Sequence, residues 1–375
     1  MPRALRVGID AHTVGRRQTG NERFTVELVD ALSRRDDVEV IAYVDRGVRW
    51  LAGGAGGPKI VELRARQPQL RIPLELPVRA RRDRLDVLQV AYTAPPVLDV
   101  PLVTVVHDLS FEDIPRTFTL RTRLRLKSTV RLAVGRSAAI VCGSEFTRRR
   151  LIESYRLAPE RVFHVPYGVA AEWQPMAAEE SQELLSAHRL PERFVLAVGT
   201  AHPRKNLARL VGAIARLRQE SGPDVTLVVA GPAGVATDAL DVAIRSGGAD
   251  GWVRQLGYVT DDELRALYGT CAAFAYPSLY EGFGLPVLEA LASGAIVVTS
   301  STTATAEAAG DACVLVDPGD EESIASGLRK ALDDASLRAE LRRRAPAHLA
   351  RFSWDACAAA MVGVYRAAIR GGRPG

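Results

Sequence analysis

The plainest chemistry lies between Pro277 and Gly294, where Glu281 and Glu289 stand eight positions apart around Gly282-Phe283-Gly284. Two carboxylates can accept hydrogen bonds from the hydroxyls of a sugar. Two glycines let the backbone come close to a ligand. If a helix begins at Leu285, its first N–H groups lack partners within the helix, and together with the positive end of the helix dipole they suit an anion such as a diphosphate. The amides of Phe283, Gly284 and Leu285 would then face outward. Taken singly, each Glu reads as a solvated acid, with Glu289 merely favourable near a helix start.

Two further groups stand at strand ends. In Gly199-Thr200-Ala201-His202-Pro203-Arg204-Lys205-Asn206, two adjacent permanent cations after a glycine turn suit a phosphate clamp. His107 and Asp108 follow the apolar run 102–106, so they belong at the carboxyl end of a strand, where open α/β sheets bind ligands. A lone histidine there is more often structural, satisfied by a neighbouring carbonyl.

The elements that must position these groups alternate along the chain. Apolar runs at 5–10, 38–44, 60–63, 87–90, 102–106 and 138–144 read as strands, and 23–32 has helical spacing after a glycine-bearing loop over 11–21. A loose loop is expected over 53–58. Residues 172–192, with Pro175 and Pro191, read as a linker. The alternation resumes with strands at 193–198, 225–231, 253–256, 271–276, 295–299 and 313–316, and with helices at 261–268 and 285–292. Pro286 is tolerated in a first helical turn. The fold class is α/β.

The pattern Glu281-Gly282-Phe283-Gly284-Leu285-Pro286-x-x-Glu289 resembles the E-x7-E signature of family 4 glycosyltransferases, retaining enzymes of the GT-B architecture, with a motif pattern nearest the mannosyltransferase-like subgroup. Val105-Val106-His107-Asp108-Leu109, Thr19-Gly20-Asn21-Glu22-Arg23-Phe24, Val165-Pro166-Tyr167-Gly168-Val169, Arg204-Lys205-Asn206 and Gly257-Tyr258-Val259 resemble further family segments. Ile296 and Thr305-Ala306 depart from it, while Glu307 sits in what reads as a family turn.

The resemblance implies two Rossmann-like domains facing across a cleft: 1–170 for the acceptor, 171–355 for the nucleotide sugar, and a terminal helix, 356–375, returning to the first. It implies that Glu281 contacts the donor sugar and Glu289 the nucleotide ribose, with the amides of Gly282, Phe283, Gly284 and Leu285 on the diphosphate. Gly20, Gly199, Arg204, Lys205, Tyr258 and Val259 complete the donor site, and His107, Glu281, Arg204 and Lys205 serve the chemistry. Asn21, His107 and Asp108 face the acceptor. The implied donor is GDP-mannose, with a UDP-sugar as the alternative, and the acceptor is a glycan, a lipid-linked sugar or a small-molecule glycoside. No D-x-D triplet occurs and no histidines pair at metal-ligand spacing, so neither a metal nor another cofactor is expected.

Composition agrees with a globular chain of two domains: 375 residues, 47% hydrophobic and 25% charged. No apolar run approaches a bilayer span, and Cys142, Cys271, Cys313 and Cys357 are scattered. Cytoplasmic residence with unpaired thiols is the expectation. Residues 116–150 carry ten Lys or Arg against the single acid Glu145, with Arg121, Arg123, Arg125 and Lys127 interleaved with Leu124 and Leu126. They read either as a solvated face or as a peripheral contact with the anionic inner face of the plasma membrane. Two other classes compete. A nucleotide-sugar epimerase could share the fold, and a net charge of +5 suits a nucleic-acid binder, although no zinc finger or aromatic-interleaved basic motif is present and no nucleic acid is expected.

Overall fold

The computed structural model describes residues 3–15, 19–48, 50, 57–65, 67, 70–221 and 225–371. The chain forms two compact units, Met1–Gly168 with Phe352–Gly375, and Val169–Arg351.

The first unit is built on seven strands: β1 (Leu5–Asp10), β2 (Val38–Asp45), β3 (Lys59–Leu63), β4 (Val87–Ala91), β5 (Leu102–Val105), β6 (Ala139–Cys142) and β7 (Val162–His164). Their order is β3-β2-β1-β4-β5-β6-β7, with parallel pairings throughout. Near-continuous apolar strands become stable when helices cover both faces of such a sheet. Val7, Ile41, Leu88, Val103 and Ile140 accordingly expose no surface. The Trp354–Gly371 helix belongs to this unit. Its Tyr365 hydroxyl donates to Gln89 Oε1 at 2.5 Å, and its Trp354 stacks on Tyr167 with ring centroids 6.2 Å apart.

The second unit repeats the plan with β8 (Phe194–Val198), β9 (Thr226–Ala230), β10 (Val253–Gly257), β11 (Ala273–Tyr276), β12 (Val297–Ser300) and β13 (Val314–Val316), in the order β10-β9-β8-β11-β12-β13. These pairings are also parallel. β8 and β11 are neighbours, with Val195 opposite Ala273, yet the chain leaves them toward opposite edges of the sheet. Loops diverging at such a switch point leave a crevice at the carboxyl ends of the strands. The Arg204-Lys205 segment follows β8, and the Glu281 segment follows β11.

The strands read from the sequence fall within a residue or two of their expected bounds, but β7 is not among them and several connections differ. Gly20 and Asn21 are not in a loop: the first helix spans Thr19–Ser33, four residues earlier than its apolar spacing suggests. Glu22 in its first turn suits the helix dipole and accepts from Gly15 N at 2.6 Å, which ties the preceding loop down. Glu307 lies in the Thr303–Ala309 helix rather than a turn, and the stretch read as a linker contains the Ala178–Leu185 helix. Residues 16–18 of the expected glycine loop and 53–56 of the loop at 53–58 lie outside the described residues.

Candidate active site

Just past β8, Gly199 takes φ +132°, and a Cβ there would meet Lys205 Cε at 3.1 Å. Glycine therefore leaves room for Lys205 to lie back across the strand end. The Pro203–Lys205 turn closes with Asn206 in the left-handed region, φ +63°, which Asn tolerates better than most residues. Buried Asn206 donates through Nδ2 to Pro277 O at 3.0 Å and Pro318 O at 2.7 Å, and Leu279 N donates to Arg204 O at 2.7 Å. The bonds to Pro277 and from Leu279 tie the loop after β8 to the loop after β11, and the bond to Pro318 ties it to the loop after β13.

The tie brings two cations onto one carboxylate. Arg204 Nη1 donates to Glu281 Oε2 at 2.6 Å and Lys205 Nζ to Glu281 Oε1 at 2.7 Å. The Tyr276 hydroxyl donates to Glu281 Oε1 at 3.0 Å and accepts from Lys205, whose ammonium also stands 4.5 Å from the Tyr276 ring centre. Burial alone would raise the Glu281 carboxyl, but the adjacent Arg204 and Lys205 charges reverse that and hold it at about 2. Tyr276 is pushed well upward by burial and by the neighbouring carboxylate, so it remains a phenol.

Beyond Glu281, Gly284 caps the Leu285–Ala292 helix at φ +110°, a conformation natural to glycine, with Ala308 and Thr305 packed 3.4 and 3.5 Å from where a Cβ would stand. Residues 281–285 are buried, and Gly282 and Phe283 make contacts of their own. The turn is covered because it packs under the Thr303–Ala309 helix, where Ala304 N reaches Glu281 O at 3.4 Å. Glu289 is 5% exposed, so it is not a solvated acid. Of the residues expected at the nucleobase, Tyr258 is 53% exposed and Val259 is buried.

In the first unit, His107 lies two residues past β5 and is buried. Its Nδ1 meets the Tyr167 hydroxyl at 2.9 Å instead of a carbonyl, and Phe24 packs edge-on at 4.9 Å between ring centres. Burial lowers the imidazole to about 4 against a small opposing effect of Asp108, so it is neutral near pH 7. Asp108 Oδ1 accepts from Ser110 N at 3.0 Å and Ser110 Oγ at 2.7 Å, at the start of the short Ser110–Asp113 helix. Gly20 is exposed with open space around it, and the Asn21 carbonyl accepts from Thr25 Oγ1 at 2.8 Å within the helix.

Sequence reading missed Tyr276 and Tyr167, both taken as parts of apolar or structural segments. The available signal was position, since each aromatic hydroxyl closes a strand or its following loop beside a residue already singled out. Among the described residues no three His, Cys, Asp or Glu gather in a way that could hold a metal ion, and none of the four cysteines is in a disulfide.

Residues 180–348 match the family described as glycosyl transferases group 1, and residues 19–173 match glycosyltransferase family 4. The O-antigen chain mannosyltransferase B of Escherichia coli is 32% identical over 266 residues, covering 70% of each chain. Among solved structures, sucrose-phosphate synthase from Thermosynechococcus elongatus superimposes with a TM-score of 0.77 at 18% identity over 97% of this chain and 98% of its own. Anabaena Alr3699/HepE in complex with UDP-glucose does so at 0.75 and 18% identity over 96% and 99%. These likenesses give the GT-B fold.

Proposed function

The chain belongs to glycosyltransferase family 4, and from that premise we propose that it moves a hexose, mannose favoured, from a nucleotide sugar to an acceptor hydroxyl, with retention at the anomeric carbon and no need for a metal. GDP-mannose is the favoured donor, on the strength of the mannosyltransferase relative; the UDP-glucose held by a protein of the same fold makes a UDP-sugar the alternative. The acceptor is a glycan, a lipid-linked sugar or a small-molecule glycoside.

The observation that carries this reading is the convergence of Arg204 and Lys205 on Glu281 beside the start of the Leu285–Ala292 helix. On this reading the second unit takes the donor. Arg204 and Lys205 neutralise the diphosphate and the negative charge that develops on it as the sugar departs. Glu281 accepts from sugar hydroxyls, Glu289 from the ribose, and the backbone at Tyr258 and Val259 meets the base. The first unit takes the acceptor, and His107, being neutral, contributes a hydrogen bond near the reacting carbon rather than a charge. The donor's own phosphate oxygen removes the acceptor proton.

The basic helix supports a peripheral membrane contact in part. Leu120, Leu124 and Leu132 are 67%, 57% and 46% exposed on the Leu120–Arg136 helix, amid exposed Arg121, Arg125, Arg131 and Arg136. Lys127 instead pairs with Glu112 at 2.6 Å, Arg148 with Glu145 at 3.0 Å, and Arg150 with Asp113 at 2.5 Å. We read the former set as the face that meets anionic lipid at the inner side of the plasma membrane.

The test is a thermal-shift panel of nucleoside diphosphates and sugar nucleotides followed by product analysis with the best donor, because a ligand selective for the folded state raises its melting temperature. A glycoside of the donor's anomeric configuration is expected. Inverted product, or free epimerised sugar without transfer, would overturn the reading.

A further inference from the structure

Glu281 occupies the place of a counter-ion. Its two oxygens are divided between Arg204 Nη1 at 2.6 Å and Lys205 Nζ at 2.7 Å, the two cations that the proposed function gives to the donor's diphosphate. The carboxylate is buried at 8% exposure, and the side chains of Arg204 and Lys205 are 25% and 10% exposed, so the cluster is poorly screened. A diphosphate brought against the same cations would stand beside a buried carboxylate. Two like charges brought together in so poorly screened a site repel strongly, which turns the carboxylate aside. The carboxylate has somewhere to go without being abandoned, because the Tyr276 hydroxyl donates to its Oε1 at 3.0 Å from a buried strand end.

We infer that Glu281 is an internal stand-in for phosphate: the donor's diphosphate displaces it from Arg204 and Lys205, and the displaced carboxylate, still held by Tyr276, becomes the acceptor for the sugar's hydroxyls. This rests on the donor reading given above. Sugar recognition is thereby conditional on the diphosphate. A free hexose meets a carboxylate already saturated by two cations. A nucleoside diphosphate without the hexose must expel Glu281, and its ribose hydroxyls, which go to Glu289 on this reading, give the displaced carboxylate nothing in return. The complete donor does both, so the residue that selects the sugar also rejects the bare nucleotide.

The sign of one substitution separates this from an ordinary binding role. Removing the Glu281 charge removes the competitor, so Glu281→Gln should bind nucleoside diphosphate more tightly than wild type while losing discrimination for the sugar. GDP, UDP, GDP-mannose and UDP-glucose are titrated calorimetrically into wild type, Glu281→Gln and Glu281→Asp, with melting temperatures recorded for each. The nucleoside diphosphate that wild type prefers is expected to bind Glu281→Gln about fivefold to tenfold more tightly, and its sugar nucleotide to gain less than about twofold over it. Empty Glu281→Gln should melt lower than wild type, since two cations lose their partner, and diphosphate should raise its melting temperature by more. If Glu281→Gln does not fold, Glu281→Asp, with its shorter reach, should still bind diphosphate about twofold to threefold more tightly than wild type. Equal or weaker diphosphate binding by the folded variants, with wild type binding normally, overturns the counter-ion exchange and leaves the donor site standing. Wild type that binds none of the four ligands overturns the donor reading, and the exchange falls with it.

Discussion

His107 Nδ1 and the Tyr167 hydroxyl meet at 2.9 Å inside the first unit, so the imidazole beside the proposed acceptor is held by a phenol that burial keeps protonated. The pair explains why a histidine at a strand end can be both buried and neutral.

That neutrality makes stability depend on pH in a defined window. The folded pKa of His107, about 4, lies below its ordinary value of 6.5, so the unfolded chain binds the proton more readily between these values. Stability from this group is complete above pH 6.5 and lost as pH falls toward 4, a difference of about 3 kcal/mol. Urea unfolding of wild type and His107→Gln from pH 7 to 4 checks it. The wild-type curve should fall more steeply by that amount; parallel curves would mean that His107 titrates normally.

Lys205→Ala and Arg204→Ala should each depress transfer with the fold retained. Each removes a charge-assisted contact to the departing diphosphate, worth about 3 kcal/mol or roughly a hundredfold in rate. Initial rates at saturating donor are the measurement, and turnover at the wild-type level in either variant excludes the phosphate role.

Glu289→Gln should weaken the bare nucleoside diphosphate by about tenfold, the loss of one hydrogen bond between a charged acceptor and the ribose. The effect is opposite in sign to that of Glu281→Gln, and the same calorimetric titrations read both. Unchanged affinity would remove Glu289 from the ribose.

Asn206→Ala should cost about 3 kcal/mol of unfolding free energy, because it removes the Asn206 donor from Pro277 O and from Pro318 O, of which Pro318 O keeps Arg209, and leaves alanine at positive φ. Chemical denaturation measures it. A loss below about 1 kcal/mol would show that the loops after β8 and β11 hold without this tie.

Replacing Arg121, Arg125, Arg131 and Arg136 with Gln should abolish cosedimentation with anionic vesicles while nucleotide binding is unchanged, since each basic residue near such a surface contributes about 1 kcal/mol. Substituting Lys127 and Arg150, which pair with Glu112 and Asp113, should leave vesicle binding intact. Wild type that ignores anionic vesicles at low salt would reduce the helix to a solvated face.

What the sequence determined by itself was local. Apolar runs such as 102–106 and 271–276 have few alternatives to buried parallel strands, and a glycine before Leu285-Pro286 has few alternatives to a helix start, so the alternation, the fold class, and the strand ends and helix beside which Arg204, Lys205, Glu281 and Glu289 stand were legible. Charge pairing was not. Arg204 and Glu281 are 77 residues apart and meet because β8 and β11 are neighbours at the switch of the sheet, a fact of strand order that no spacing encodes. Tyr167 reaches His107 across 60 residues for the same kind of reason, and the split of the basic segment into exposed and paired side chains depends on which acids the fold brings near it. Periodicity reports what each segment must bury; only the packed sheet decides which buried charge answers which.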